Sequence, residues 1–200
     1  MQSHQKRALI IKYVIPALGN VLHTNEGFVE QLIASSYLVH AVKYQQLEMP
    51  GYFEDGCVWF SIDAIVHSYY YCPYKLVKKG TRIWSKREFI LFSSCLLKRE
   101  QRTDYLEILE AGIVIYIKYA QLLALLDQYT ELENQIKLVS VNNERYYHNR
   151  NLMMNKPPVE RVKQLHTENK LFINSSSQVV QAMHANLSLR GYLNQLSKLK

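Results

Sequence analysis

The sequence predicts an α+β protein in three parts: helices leading into a β-rich unit, a small β-sandwich or jelly roll, then one long helix, then a small helical module. Three features of the chain predict this. Between about residues 41 and 119 the apolar runs are short, rich in β-branched and aromatic residues, and separated by Asp-Gly, Lys-Gly and Ala-Gly pairs. From Tyr129 to Met153 apolar and long side chains recur at alternating intervals of three and four. After Lys156-Pro157-Pro158 come short helical patterns with Ser and Asn at their ends. The expected divisions are 1–127, 128–155 and 156–200.

Composition narrows the function classes. A chain of 200 residues with 48% hydrophobic content suits one medium domain or two small ones with a packed core. No run of about 18 uncharged apolar residues is present, so no membrane contact and a cytoplasmic location are expected. The nearest run, 8–22, is broken by Lys12 and Pro16 and lacks a small-residue cleavage site. The formal charge of +7 favours an anionic partner such as nucleic acid. Cys57, Cys72 and Cys95 are odd in number and form neither a C-x-x-C pair nor a disulfide framework, which fits a reducing compartment. The seven histidines show no ligand spacing, so no metal and no cofactor are expected. There is no P-loop and no G-x-S-x-G, and the chain does not read as an enzyme.

Taken in order, the first forty residues read as helical. Ser3 would cap a helix running towards Pro16, and Thr24 or Asn25 a second with Phe28, Leu32 and Ile33 on one face. Strands are expected at 58–62, 65–71, 83–84, 89–92 and 112–117. The fifteen tyrosines suit such pleated surfaces. A short helix follows at 119–126. In the long helix Tyr129, Ile136, Asn143 and Arg150 fall at a, and Leu132, Val139, Tyr146 and Met153 at d. A seam this narrow is expected to pair two copies of the chain, with Asn143 setting register. Pro158 opens the next helix, with Val159, Val162 and Leu165, and it runs to about Asn169. Ser175 to Ser177 cap another, with Val179, Val180, Ala182 and Met183 inward. Asn186 suits a left-handed turn, and Ser188 caps a last helix with Tyr192, Leu193 and Leu196 inward. Helix, four-residue turn, helix is the helix-turn-helix outline.

Several strings resemble one family. Val58-Trp59-Phe60-Ser61-Ile62, then Ala64-Ile65-Val66-His67-Ser68-Tyr69-Tyr70-Tyr71, is similar to a strand pair of Crp/Fnr-type transcriptional regulators, especially those of Bacteroidetes type. Arg82-Ile83-Trp84-Ser85 to Phe89-Ile90 resembles their next strand and turn, and the run from Glu107 to Ile117 a later strand. The likeness spans about residues 25–200 and is strongest over 58–155. It implies a double-stranded β-helix of cyclic-nucleotide-binding type, a dimerisation helix and a winged helix-turn-helix domain. The implied partners are a second copy and a palindromic DNA operator.

Two departures qualify the implication. The family's Gly-Glu-Leu element falls near Leu91-Phe92-Ser93-Ser94, without its glycine and glutamate, while its Arg-Ser/Thr pair survives as Arg102-Thr103. Ser93, Ser94, Arg102 and Thr103 are therefore the candidate ligand pocket. The lost carboxylate argues against cAMP and leaves another small-molecule effector open. That pocket is either open or filled by side chains such as Trp84 and Phe92. In the last helix the DNA-facing candidates are Ser188, Arg190, Asn194 and Lys198. Arg suits guanine, Asn suits adenine, and Ser and Lys suit phosphates. Gly191 weakens that helix by about 1 kcal/mol relative to Ala, and little sequence follows for a wing. Two functions are expected from these residues: a dimeric DNA-binding regulator of unknown effector, or a sensor or scaffold of the same build that has lost DNA binding.

Overall fold

The structure, a computed structural model, describes residues 2–19, 22 and 24–199. Helix α1 (Gln2–Leu9) starts before Ser3, so Ser3 is not its cap. A π-helical turn (Ile10–Val14) and the short α2 (Ile15–Ala17) continue it and bury Ile10, Val14 and Ile15. Helix α3 (Glu26–Ser35) is capped by Asn25, whose side chain accepts from the Phe28 N–H at 3.0 Å. Phe28, Leu32 and Ile33 are buried, as their spacing predicts.

The helical reading of the first forty residues fails beyond Ser35. Ser36–Ala41 is strand β1, paired residue for residue with β8 (Gly112–Lys118). A six-residue segment has no strong local preference, and a long-range partner decides it.

Two four-stranded antiparallel sheets face each other. One runs β1, β8, β3 (Cys57–Ser61), β6 (Phe89–Ile90). The other runs β2 (Gln46–Glu48), β7 (Tyr105–Glu110), β4 (Ile65–Cys72), β5 (Val77–Trp84). Side chains alternate across a strand, and here both faces are covered. In β3, Cys57 and Trp59 point between the sheets, whereas Val58 and Phe60 pack under the N-terminal helices. In β4, β5 and β7, Val66, Trp84 and Ile108 point between the sheets, whereas Ile65, Ile83 and Leu109 meet the C-terminal helices.

A short helix, α4 (Ser93–Lys98), precedes β7 and starts within the stretch near which the family's Gly-Glu-Leu element falls. After β8 come α5 (Tyr119–Leu126) and the 25-residue α6 (Thr130–Met154). The last quarter holds α7 (Pro158–Glu168), α8 (Lys170–Ser175), α9 (Gln178–His184) and α10 (Leu189–Leu196). Pro158 stands in the first turn of α7, and α8 is a helix the sequence reading left out. Ala182 and Tyr192 are buried as expected, while Val179 and Leu193 are exposed rather than inward. Among the described residues no helix is long and apolar enough to cross a membrane.

Candidate functional site

The C-terminal module is held by side chains as much as by apolar contact. Asn186 takes the left-handed conformation, φ 55°, in the turn between α9 and α10. Ser188 caps α10 by accepting from the Gly191 N–H at 3.1 Å. The Tyr192 hydroxyl donates to the Gln181 side chain at 2.6 Å and lies 2.6 Å from His166 Nε2. Gln181 in turn donates to the carbonyls of Ile173 and Ser176 at 2.9 and 3.1 Å. One buried network therefore ties α7, α8, α9 and α10 together. It leaves Ser188, Arg190, Asn194 and Lys198 exposed, with Arg190 and Asn194 one turn apart on α10.

The residues expected to form a seam between two copies lie elsewhere. Leu132, Ile136, Asn143 and Met153 are buried within this chain. The Tyr129 ring meets Phe28 edge-on with centroids 5.1 Å apart, and Val139 packs against the same cluster. Asn143 donates to the Leu91 carbonyl at 2.8 Å and accepts from Arg82. The Tyr146 hydroxyl accepts from the Ile83 N–H at 3.2 Å. Arg150 donates to the carbonyls of Gly80 and His184 at 2.5 and 3.1 Å. These eight side chains face their own β-roll and module, which corrects the seam assignment. Spacing marks an apolar face but not the surface that covers it. The opposite face carries a second stripe of the same 3-4 spacing: Leu138, Val141, Arg145, His148 and Leu152. Its Leu138, Val141 and Leu152 are 56%, 59% and 52% exposed.

The candidate ligand pocket is not assembled. Arg102 is 7% exposed and its Nη1 lies 3.0 Å from Glu48 Oε2. The other Glu48 oxygen accepts from Trp59 Nε1 at 2.8 Å and from the Cys57 N–H at 2.9 Å. Burial pushes the Glu48 carboxyl above its usual range, while the hydrogen bond from Trp59 and the Arg102 charge act against that. Gly51 lets the guanidinium approach, since a Cβ there would stand 2.9 Å from Arg102 Nη2. Ser94 and Thr103 are exposed, Thr103 bonding to Asp104, and Ser93 lies 3.4 Å from Asn143 Nδ2. The space between the sheets is filled by Trp59, Val66, Trp84, Ile90, Leu106 and Ile108, with Phe92 edge-on to Trp84 at 5.8 Å. Sequence reasoning missed Glu48, because its partner lies 54 residues away and only the closed roll joins them.

No family model and no curated protein matches the sequence. Solved structures do match by fold. FixK2 from Bradyrhizobium japonicum has a TM-score of 0.68 at 14% identity, over 82% of this chain and 84% of that one. CLP from Xanthomonas campestris, a c-di-GMP responsive global regulator, has a TM-score of 0.68 at 13% identity, over 86% and 90%. A protein from Eubacterium rectale assigned to the Crp/Fnr family has a TM-score of 0.76 at 11% identity, over 88% and 83%. The β-roll, long helix and C-terminal helical module of this chain are thus arranged as in the Crp/Fnr fold.

Proposed function

We propose that this chain, built on the Crp/Fnr fold, is a homodimeric DNA-binding transcriptional regulator of the cytoplasm rather than an enzyme. The observation that carries the reading is the clamped module, with its capped α10 and the exposed Ser188, Arg190, Asn194 and Lys198. In this reading residues 1–127 are the sensor-like unit, 128–155 the connecting helix and 156–200 the reader. The start of α10 enters the major groove, where Arg190 takes the O6/N7 edge of guanine and Asn194 the N6/N7 edge of adenine. Ser188 and Lys198 contact phosphates and set the register. Two copies join through the outer stripe of Leu138, Val141 and Leu152, and they place two α10 helices in major grooves about one helical turn apart.

The filled roll argues against a cyclic-nucleotide site between its sheets. Its one buried arginine of the expected pair, Arg102, is already matched by Glu48, and an entering phosphate would have to displace that carboxylate.

Selection of duplexes from a randomised pool, with a salt titration, tests the reading. We expect enrichment of a two-fold symmetric site, affinity falling steeply with salt, and a loss of about 1–3 kcal/mol in Arg190→Ala. A folded protein that enriches no sequence even at low salt overturns it, in favour of a scaffold of the same build.

A further inference from the structure

The C-terminal module does not hang free of the roll. Val162, Leu165, Phe172, Ala182, Ala185 and Tyr192 share one buried cluster with Ile65, Ile83 and Leu109 of the sheet. At the centre of this apolar join lies a polar pair. His184, the last residue of α9, is fully buried and sits against Gly80 of β5. A Cβ on Gly80 would come within 2.6 Å of the imidazole, so the missing side chain makes the seat. His184 Nε2 lies 3.1 Å from Nδ1 of His67, itself fully buried on β4. His67 Nε2 lies 3.3 Å from Glu107 Oε1 on β7.

The proton positions follow from the chain of bonds. An ionised carboxylate only accepts, so His67 carries its proton on Nε2 and accepts at Nδ1. His184 then donates from Nε2, and its Nδ1 is left bare; it is buried and has no partner among the described residues. Both rings are neutral in this arrangement.

We propose that His67 and His184 form a pH-released latch that docks the C-terminal module on the β-roll. A proton arriving at His184 Nδ1 would meet no acceptor, beside the Arg150 guanidinium that binds the His184 carbonyl. A proton arriving at His67 Nδ1 would point at the N–H of His184. If His184 moves its own proton to Nδ1 to accept from His67, that N–H is buried without an acceptor, so an added proton favours the departure of α9 from β5. Burial holds both imidazoles below their ordinary pKa, His184 well below, with the His67 and Arg150 charges acting in the same direction on His184. Around His67, Glu107 acts in the opposite direction, Lys78 of β5 adds to the lowering, and the Tyr69 ring of β4 lies with its centroid 5.4 Å away. Phe172 of α8 closes the pocket over His184 with centroids 5.0 Å apart.

The sign of the linkage is fixed by these directions. The docked state binds fewer protons than the undocked one, where each imidazole returns to about 6.5. Docking is therefore insensitive to pH above roughly pH 6.5 and weakens as pH falls below it, by up to about tenfold per unit for each ring. The latch rests on the docked geometry, whatever the module binds.

Hydrogen–deuterium exchange of the full chain tests it, at pH 7.5 and 5.5 with intrinsic rates corrected. We expect protection of the α9 and β5 amides to fall at least about tenfold at the lower pH while the β8 amides keep theirs. His184→Gln keeps a donor but cannot titrate, and it should remove most of that pH response; His67→Gln with His184→Gln should abolish it. In the unmodified protein the two imidazole resonances should titrate only as α9 loses protection. Unchanged α9 protection at pH 5.5, joint loss in α9 and β8, a full pH response in the double variant, or a His184 ring titrating near 6.5 inside a protected α9 would each overturn the proposal.

Discussion

Helix α6 carries two stripes of identical 3-4 spacing with opposite fates. The inner one, from Tyr129 to Met153, lies against the chain's own roll and module. The outer one leaves Leu138, Val141 and Leu152 more than half exposed. The inner stripe is mixed in chemistry: Leu132 and Ile136 give way to Asn143, Tyr146 and Arg150, each with a named hydrogen-bond partner. The difference teaches that a polar residue in a heptad pattern need not specify a partner helix. Here Asn143 completes a buried contact between Arg82 and the Leu91 carbonyl.

The contrast can be broken by substitution on each face. Ile136→Ala removes buried methyl groups from the cluster joining α6 to the N-terminal helices, and should lower stability to urea by about 2–5 kcal/mol. Asn143→Ala leaves Arg82 and the Leu91 carbonyl short of a partner, and should lower it by about 1–3 kcal/mol. Leu138→Ala with Val141→Ala should leave monomer stability within about 0.5 kcal/mol, because those side chains touch solvent. The same pair changed to Asp should turn the proposed dimer into a monomer in sedimentation without altering its far-UV spectrum. If the outer changes instead unfold the chain and the inner ones do not, the assignment of the two faces is reversed.

Much of the local structure was legible. Asn25 and Ser188 cap helices, Pro158 opens one, and Asn186 takes the left-handed turn, because each acts on backbone within four residues. The short apolar runs at 58–62, 65–71 and 112–117 form β3, β4 and β8. Less of the sites was legible. The sequence offers Arg102 as a ligand-pocket residue, and only the closed roll shows the Glu48 carboxylate already on it. His67 and His184 show no spacing that links them in the sequence, because 117 residues separate them in the chain.

By itself the sequence determined the layout: short strands, one long helix, and a capped helix-turn-helix with Arg190 and Asn194 on its last helix. These depend on periodicity and on side-chain–backbone bonds of short range. The tertiary structure alone decided that 36–41 is a strand, which face of α6 stays open, and which buried charges and imidazoles meet. Those outcomes depend on closing loops of tens of residues, and no local pattern records which ends will touch.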